Sequence, residues 1–474
     1  MRRSFDDFLH WLTDKKVAVL GAGVSNRPLI RLLLESGINL TIFDRQTKEN
    51  LAPFLTELAA DGYKPEISLG TDYLSALSGF DLIFKTPIVR IDLPELLAER
   101  RRGCIITSEM EVFLNFCPAE VFAISGSDGK TTTSSLTAAI LEAAGYHTYL
   151  GGNIGLPLLN QLSKMAAEDK VVVELSSFQL MGMIAQIDNA ALTNLSPNHL
   201  DVHKDYEEYR EAKAQIFRHQ GPCGRLVLNG ECAELASWAM EAQGQVIWTA
   251  KRPFGDQELY GIEADHLFYQ AAPALEREKL LDRFELKLLG RHNALNVLTA
   301  LALTKEVVNR QQALAAVTAF TGVEHRIELI RTLDGVDYYN SSIDSSPSRT
   351  VQTLAVFQEK ETPLLLIAGG KDKKLDYLEL GHAILASSRK LYLYGANAAL
   401  IEAGVQAAQD EGEKAKYDLE IQHCDSYEEA LNLAHQAGQK GEAVLLSPAG
   451  TSFDHFKNFE ERGKAFKAAV RELA

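Results

Sequence analysis

Residues 123–133, AISGSDGKTTT, join a short apolar run to a helical pattern through a glycine loop. The apolar residues 121–124 predict a buried strand. Residues 134–144 predict a helix that ends at Gly145. In such a turn the backbone N–H groups point inward, and the positive end of the helix dipole favours an anion. The stretch therefore predicts an anion site between a strand and a helix.

Two side chains of this stretch suit phosphate groups in particular. Lys130 supplies a mobile positive charge for β- and γ-phosphates, and the Thr131 hydroxyl is a ligand for Mg²⁺. Ala123 stands where the pattern G-x-x-x-x-G-K-[ST] has its first glycine, so the match is incomplete. The alternative is a glycine-rich turn with a solvated lysine. The strand before the loop and the Lys-Thr pair directly after Gly129 favour a phosphate loop.

Composition limits the classes of protein that this chain can belong to. Its 474 residues predict two to four domains, and the net charge of −16 argues against general binding of nucleic acid. No apolar run reaches the length of a transmembrane helix, and residues 1–7 lack the apolar segment of a signal peptide. The cysteines are scattered and odd in number, which predicts a reducing cytoplasm and no structural zinc site. They are Cys104, Cys117, Cys223, Cys232 and Cys424.

The N-terminal part has the outline of a nucleotide-binding βαβ unit. Residues 16–26 predict a strand that enters a Gly-x-Gly turn, and residues 27–35 predict a helix. Residues 39–44 predict a second strand, which ends in an acid, Asp44. The third glycine of a dinucleotide site is missing, so an ordinary βα turn remains an alternative. We place the end of this domain near Ser108.

The middle part predicts buried strands whose ends carry polar side chains. Residues 171–173 are valines and lead into Glu174, which is well placed beside a phosphate loop to hold Mg²⁺. The alternative for Glu174 is a surface acid at a strand end. Lys213 lies among small and apolar residues of a predicted helix, where a snorkelling lysine is the simplest interpretation. Residues 290–297 open an alanine-rich helix.

A third part begins near Val323 and again alternates strands with helices, which predicts another α/β domain. Residues 364–368, 391–394 and 443–447 are its clearest strands. Loops with groups suited to anions lie next to these elements. They are residues 324–326, 369–374 and 447–454.

Taken together and in order, these motifs resemble the Mur ligase family over essentially the whole chain. Within that family they are most similar to the member that adds D-glutamate, because of residues 176–179, 446–449 and 456–463. The motifs that carry the resemblance are residues 126–131, 151–155, 174–179, 198–201, 290–293 and 325–326.

The resemblance implies an α/β protein of three domains. Residues 1–108 would form a Rossmann-like domain that binds the UDP-substrate. Residues 109–322 would form a P-loop ATPase-like domain with a mostly parallel sheet, and residues 323–474 a Rossmann-like domain that binds the amino acid. The implied reaction is ATP-dependent ligation of D-glutamate to UDP-N-acetylmuramoyl-L-alanine through an acyl phosphate, in peptidoglycan precursor synthesis. A cytoplasmic monomer with no nucleic-acid partner and no membrane insertion is expected.

The resemblance also implies roles for individual residues. The catalytic residues would be Lys130, Glu174, His199 and Lys213. Two Mg²⁺ ions would be held by Thr131, Glu174, His199 and a carbamylated Lys213. ATP would contact Gly126, Ser127, Asp128, Gly129, Lys130, Thr131, Thr132, Asn296 and Arg326. The UDP-substrate would contact Ser25, Asn26, Asp44, Arg45, Asn153, Ser176 and Gln179, and D-glutamate would contact His325, Lys373, Ser452 and Phe459.

The sequence departs from the family pattern at two places. The expected Asn-Asp-Ser-Lys is replaced by residues 340–343, Asn-Ser-Ser-Ile, with Asp344 close by. The expected Pro-Gly is Pro87-Ile88. Competing hypotheses are a sister ligase for another amino acid, such as a diaminopimelate-, lysine- or folate-polyglutamate-adding enzyme, and a nucleotide-binding regulator without turnover. A P-loop kinase is a further alternative, but it would need neither the Asp44 domain nor the third domain.

Overall fold

The computed structural model describes residues 4–23, 25–155, 157–200, 202–273, 276–372, 375–453 and 456–474. The chain divides into two compact units. The first unit comprises Met1–Leu286 and His292–Thr318, and the second comprises Lys287–Arg291 and Ala319–Ala474.

The first unit begins with a parallel five-stranded sheet in the order β3-β2-β1-β4-β5. All four residues of β1 are buried, as expected for an apolar strand in a sheet with helices on both faces. The strands are β1 Val17–Leu20, β2 Leu40–Asp44, β3 Glu66–Leu69, β4 Leu82–Lys85 and β5 Ile105–Thr107. The helices are α1 Phe5–Leu12, α2 Asn26–Glu35, α3 Lys48–Ala60, α4 Pro94–Arg101 and α5 Glu109–Phe116.

A nine-stranded sheet follows, in the order β14-β13-β12-β11-β10-β9-β6-β8-β7. Its strands are parallel from β7 to β12, and antiparallel pairing begins between β12 and β13. The strands are β6 Glu120–Ser125, β7 Thr148–Gly152, β8 Lys170–Glu174, β9 Asn189–Leu192, β10 Arg225–Asn229, β11 Gln245–Ala250, β12 Leu259–Glu263, β13 His266–Gln270 and β14 Glu278–Asp282. The helices are α6 Lys130–Ala143, α7 Ser177–Leu180, α8 Tyr206–Arg218, α9 Ala233–Trp238, α10 Arg291–Thr304 and α11 Arg310–Ala319, with 3₁₀ turns at Leu159–Lys164 and Arg283–Glu285.

The second unit is built on a six-stranded sheet in the order β15-β16-β20-β17-β18-β19. β15 pairs antiparallel with β16, and the other neighbours are parallel. The strands are β15 Glu328–Leu333, β16 Val336–Asn340, β17 Leu364–Gly369, β18 Ser388–Tyr394, β19 Glu420–His423 and β20 Ala443–Leu446. The helices are α12 Pro347–Glu359, α13 Leu378–Ser387, α14 Ala398–Asp410, α15 Tyr427–Ala437 and α16 Phe459–Glu472.

The predicted α/β class and its three sheets are confirmed, including the mostly parallel central sheet. The helix after the phosphate loop begins at Lys130, four residues earlier than the apolar pattern indicated. Its first turn carries polar threonines, so the apolar period starts only after the helix has begun. The domain boundaries at Ser108 and Gly322 stay predictions.

Among the described residues, none of the helices is both long and apolar enough to cross a bilayer.

Candidate active site

The predicted phosphate loop lies between β6 and α6, at the carboxyl end of a central strand. Gly126 has φ +145°, and Gly129, the residue before α6, has φ +79°. A Cβ on Gly126 would overlap the Thr193 hydroxyl, and a Cβ on Gly129 would overlap the Asn296 amide. Since both positions combine a left-handed backbone with a close neighbour, glycine is required at both.

The Lys130 side chain folds back over this loop. Its Nζ donates to the carbonyl oxygen of Gly126 at 2.9 Å and to that of Ser127 at 2.8 Å. The ammonium group is therefore held above the loop, at the positive end of α6. Such a position is suited to the terminal phosphates of a nucleotide.

Glu174 joins the loop to the neighbouring strand. The Thr131 hydroxyl donates to Glu174 Oε2 at 2.8 Å, and the Asn153 amide donates to Oε1 at 2.8 Å. Glu174 is buried at the end of β8, so these two donors satisfy its oxygens. A carboxylate and a hydroxyl side by side are the oxygen ligands that Mg²⁺ prefers. The donor set of the described residues thus fits the predicted cation.

Lys213 lies on α8 directly behind the loop, and it is not the snorkelling lysine that the sequence alone favoured. The residue is 2% exposed, and its Nζ donates to Gly126 O at 2.8 Å and to Ser125 Oγ at 3.3 Å. Burial, and next the nearby charge of Lys130, lower the pKa of Lys213 well below its usual value. The amine of Lys213 therefore loses its proton more readily than that of a solvated lysine.

Several residues support this arrangement although the sequence analysis did not single them out. The Tyr209 hydroxyl lies 2.7 Å from Ser127 Oγ, and the Tyr209 ring lies 4.8 Å below Lys213 Nζ. Asn194 accepts the N–H of Ser127 on its carbonyl oxygen and the N–H of Asp128 on its side chain. The spacing of four between Tyr209 and Lys213 on one helix was a signal in the sequence for the first of these contacts.

His199 lies on the loop that follows β9. Its side chain is exposed and its φ is +55°, an unusual backbone conformation for a residue other than glycine. The ring of Phe178 packs edge-on against the imidazole, with centroids 5.0 Å apart. His199 thus has an accessible imidazole on a backbone that its surroundings hold in place.

Asn296, predicted to contact ATP, is buried on α10 beneath the loop. Its Oδ1 accepts the Thr133 hydroxyl at 3.3 Å, and its Nδ2 donates to Asn293 Oδ1 at 3.1 Å. The side chain therefore braces the start of α6. Thr132, predicted to contact ATP, is also buried there, whereas Asp128 is exposed on the loop.

Four of the residues predicted to contact the UDP-substrate lie near the carboxyl ends of β1 and β2. Asp44 is buried and accepts the N–H of Ala22 at 2.6 Å, so it fastens the Gly-x-Gly turn. The Asn26 amide donates to the carbonyls of Leu20 and Gly21, which is also a turn-supporting role. The exposed members of this set are Ser25 and Arg45.

Ser176 and Gln179 cap α7 reciprocally. The Gln179 N–H donates to Ser176 Oγ at 3.2 Å, and the Ser176 N–H donates to Gln179 Oε1 at 3.0 Å. This capping box fixes the short helix that directly follows Glu174. Asn153, on the other side of Glu174, has an exposed side chain.

The second unit brings together two of the residues predicted for D-glutamate. The His325 and Phe459 rings meet edge to face, with centroids 6.1 Å apart. His325 is buried, and burial lowers the pKa of its imidazole. Its Nδ1 lies 3.0 Å from the amide of Asn340. Ser452 is also buried in this unit, Arg326 is partly buried there, and Lys373 lies outside the described residues.

The loop after β16, where the sequence departs from the family pattern, contains a buried acid. Asp344 Oδ2 accepts the hydroxyls of Thr353 at 2.8 Å and Ser447 at 2.7 Å. Burial raises the pKa of this carboxyl group. Asp344 therefore anchors the loop to α12 and to the end of β20 through its Oδ2 atom.

Comparisons with known proteins agree with this arrangement. Residues 124–304 match the Mur ligase middle domain, and residues 325–450 match the Mur ligase glutamate ligase domain. The chain is 43% identical over 477 residues to the UDP-N-acetylmuramoylalanine–D-glutamate ligase of Ruminiclostridium cellulolyticum. It is 44% identical over 475 residues to the corresponding ligase of Acetivibrio thermocellus. Both alignments cover 100% of each chain.

Solved structures show the same fold at low sequence identity. The UDP-N-acetylmuramate-alanine ligase MurC of Thermotoga maritima matches with a TM-score of 0.55 and 18% identity, over 96% of this chain and 99% of that one. A UDP-N-acetylmuramoyl-L-alanyl-D-glutamate–2,6-diaminopimelate ligase matches with a TM-score of 0.54 and 15% identity, over 92% of this chain and 93% of that one. Identity and coverage against the full-length relatives decide the family: the chain belongs to the Mur ligases, among the UDP-N-acetylmuramoylalanine–D-glutamate ligases.

Proposed function

We propose that this protein joins D-glutamate to UDP-N-acetylmuramoyl-L-alanine at the expense of ATP, as a step of peptidoglycan precursor synthesis. Membership of the Mur ligase family implies the use of ATP. The observation that supports the proposal most strongly is the convergence of Lys130, Thr131, Glu174 and Lys213 on one glycine loop at a strand end.

The reaction has two transfers. The carboxylate of the alanyl substrate attacks the γ-phosphorus of ATP, the bond to the β-phosphate oxygen breaks, and ADP leaves. The uncharged amine of D-glutamate then attacks the acyl carbon, phosphate leaves, and the amine loses a proton as the amide forms. Lys130 is placed to offset negative charge on the transferring phosphoryl group, which is the main catalytic task in phosphoryl transfer.

We assign the cation site to Thr131, Glu174, His199 and Lys213, for two Mg²⁺ ions. Mg²⁺ supplies charge neutralisation at the phosphate oxygens. The lowered pKa of Lys213 supports carbamylation, because only an uncharged amine reacts with CO₂. The carbamate would turn a buried base into an anionic oxygen ligand. Asn153 orients Glu174 through the oxygen that Thr131 does not use.

We assign the remaining substrate groups as the family resemblance implies. ATP would contact the phosphate loop, residues 126–132, together with Asn296 and Arg326. The uridine-linked substrate would contact Ser25, Asn26, Asp44, Arg45, Asn153, Ser176 and Gln179. D-glutamate would contact His325, Lys373, Ser452 and Phe459. The three-domain division, the monomeric state and the cytoplasmic location stay predictions.

An amino-acid screen tests the proposed function. The purified protein is given UDP-N-acetylmuramoyl-L-alanine, ATP and Mg²⁺, and phosphate release is followed with one amino acid at a time. We expect release with D-glutamate, and little with D-glutamine, D-alanine, L-lysine or diaminopimelate, since a site built for two carboxylates would leave donors unpaired. Equal use of L-lysine or diaminopimelate would assign the chain to a sister ligase. Release that needs neither substrate would contradict the ligase assignment.

A further inference from the structure

Three aromatic side chains pack one against the next beside the proposed cation site. The His199 imidazole packs edge-on against the Phe178 ring at 5.0 Å. The Phe178 ring in turn stacks on the His203 ring, with centroids 5.2 Å apart and planes 8° apart. A backbone hydrogen bond also links the two histidines, because the N–H of His203 donates to the carbonyl oxygen of His199 at 3.0 Å.

The third ring, that of His203, is buried and contacts residues of α7 and α8. His203 is 2% exposed, and its Nε2 lies 2.9 Å from the Ser177 hydroxyl at the start of α7. Tyr209 packs edge-on against it at 5.4 Å. Its Nδ1 lies 3.5 Å from Glu208 Oε2. Burial and these contacts restrict the rotation of the His203 ring, which makes it suited to support Phe178.

Arg90, which lies after strand β4 of the five-stranded sheet, restricts the turn that carries His203. Arg90 follows β4 and donates to both Glu208 oxygens, at 2.6 and 2.9 Å, and to the carbonyl of Val202 at 2.9 Å. It also forms a two-bond pair with Asp92. Lys204 completes the cluster through an ion pair with Asp92 at 2.6 Å. Paired, bidentate contacts of this kind restrict geometry more than single ion pairs do.

We propose that His203 is a positioning residue for the cation site: its ring holds Phe178, and Phe178 holds the imidazole of His199 in the orientation that metal binding requires. The inference rests on the proposed function, in which His199 is a metal ligand. The two histidines differ in exposure: His199 is exposed to solvent, whereas His203 is buried and lies beside the Ser177 hydroxyl. Groups that orient a ligand in this way typically change metal affinity by ten- to a hundredfold.

Two substitutions of His203 separate the ring from its hydrogen bond. His203→Phe keeps a flat ring against Phe178 and loses the bond to Ser177. His203→Gln keeps a donor near Ser177 and loses the ring. The readout is the ¹H–¹³C spectrum of the metal-free protein labelled in its histidine rings, in which His199→Asn identifies the signal of His199. An aromatic ring shifts the resonances of a nucleus near it, so this signal reports the Phe178 contact directly.

We expect the His199 signal to move toward that of a solvated histidine in His203→Gln and to stay near its original position in His203→Phe. Phe178→Leu, which removes the middle ring without touching His203, should move the signal as His203→Gln does. His147→Gln is the matched control, because His147 is an exposed histidine of the same unit. An unmoved signal in His203→Gln overturns the proposal, as does an equal displacement in His203→Phe and His203→Gln. Melting curves identify any variant that fails to fold, and His203→Asn then takes the place of His203→Gln.

A second measurement links the orientation to the cation. The apparent KM for Mg²⁺ should rise about tenfold in His203→Gln and stay near that of the original protein in His203→Phe. Adding His203→Gln to His199→Asn should cause no further rise, because His203 acts through His199. A further rise overturns the positioning role. If His199→Asn alone leaves the Mg²⁺ dependence unchanged, the metal-ligand assignment fails, and the spectra still decide whether His203 orients His199.

Discussion

The carbonyl oxygen of Gly126 receives two lysine side chains, Lys130 at 2.9 Å and Lys213 at 2.8 Å. Two ammonium groups on one acceptor repel each other, and Lys213 is the more buried of the two. As a result the pKa of Lys213 is lowered, by burial first and by the charge of Lys130 second.

Substitution of Lys130 tests whether its side-chain charge is needed for phosphoryl transfer. Lys130→Ala should lower turnover by about a hundredfold or more, since a charge matched to the transferring phosphoryl group is lost. Steady-state phosphate release at saturating substrates measures the effect. Lys164→Ala, at an exposed position of the same unit, is the control. Near-normal turnover in Lys130→Ala would contradict the phosphate-loop assignment.

Substitution of Lys213 tests the carbamate. Lys213→Ala should lose activity, and formate or acetate should restore part of it, because a small carboxylate supplies the missing oxygens in the space left by the side chain. Lys213→Arg should not be restored, since its longer, permanently charged side chain fills that space. Activity against carboxylate concentration is the measurement. No restoration of Lys213→Ala by either anion would argue against a carbamylated lysine.

At the scale of elements, a buried acid links α5 to the 3₁₀ turn Leu159–Lys164. Glu109, in the first turn of the helix, accepts the N–H of Leu159 at 3.1 Å. Burial raises the pKa of Glu109 from 4.5 to about 7. The folded chain therefore keeps this carboxyl protonated over a range in which the unfolded chain ionises it.

This buried acid predicts a pH dependence of stability. Because the folded-state pKa is the higher one, the stability that Glu109 confers in its protonated form is present below pH 4.5 and is lost as the pH rises to 7, a total of about 3 kcal/mol. Glu109→Gln keeps the acceptor and cannot ionise. Relative to the original protein, its free energy of unfolding should therefore improve by about that amount between pH 4.5 and 7.

Urea unfolding at several pH values measures the difference. Glu142→Gln, on the exposed face of α6, is the matched control and should follow the curve of the original protein. A constant difference between Glu109→Gln and the original protein across this range would show that Glu109 ionises normally in the folded chain.

At the scale of the whole molecule, the phosphate loop and the residues proposed for D-glutamate lie in separate compact units. The phosphate loop, Glu174 and Lys213 belong to the first unit, and His325, Ser452 and Phe459 belong to the second, as does Arg326, which is proposed for ATP. The first unit contains two sheets and the second contains one, and each unit has its own buried core. Substitutions of the residues proposed for D-glutamate should therefore affect the binding of that substrate selectively.

Ser452 provides the test of that division. Ser452→Ala removes a buried hydroxyl assigned to D-glutamate and should raise the apparent KM for D-glutamate by about tenfold, with the KM for ATP nearly unchanged. Ser348→Ala, an exposed serine of the same unit, is the control. Equal increases in both constants would place Ser452 outside the amino-acid site.

The amino-acid sequence by itself determined the α/β class, the glycine loop between a strand and a helix, and the family. These depend on local patterns, namely apolar runs of strand length, glycines that precede a helix, and lysine directly after glycine. The departures at residues 340–343 were also visible in the sequence, but their meaning was not.

Only the tertiary structure decided which distant residues meet at the loop. From its small and apolar neighbours in the sequence, Lys213 was interpreted as a snorkelling lysine, and only the packing of α8 against β6 shows that its amine is buried beside Gly126. Asp344 is likewise revealed as a buried anchor by Thr353 and Ser447. The role of His203 was equally hidden, since stacking on Phe178 joins residues from different elements. Burial and desolvation depend on contacts between segments far apart in the chain, and no local pattern encodes them.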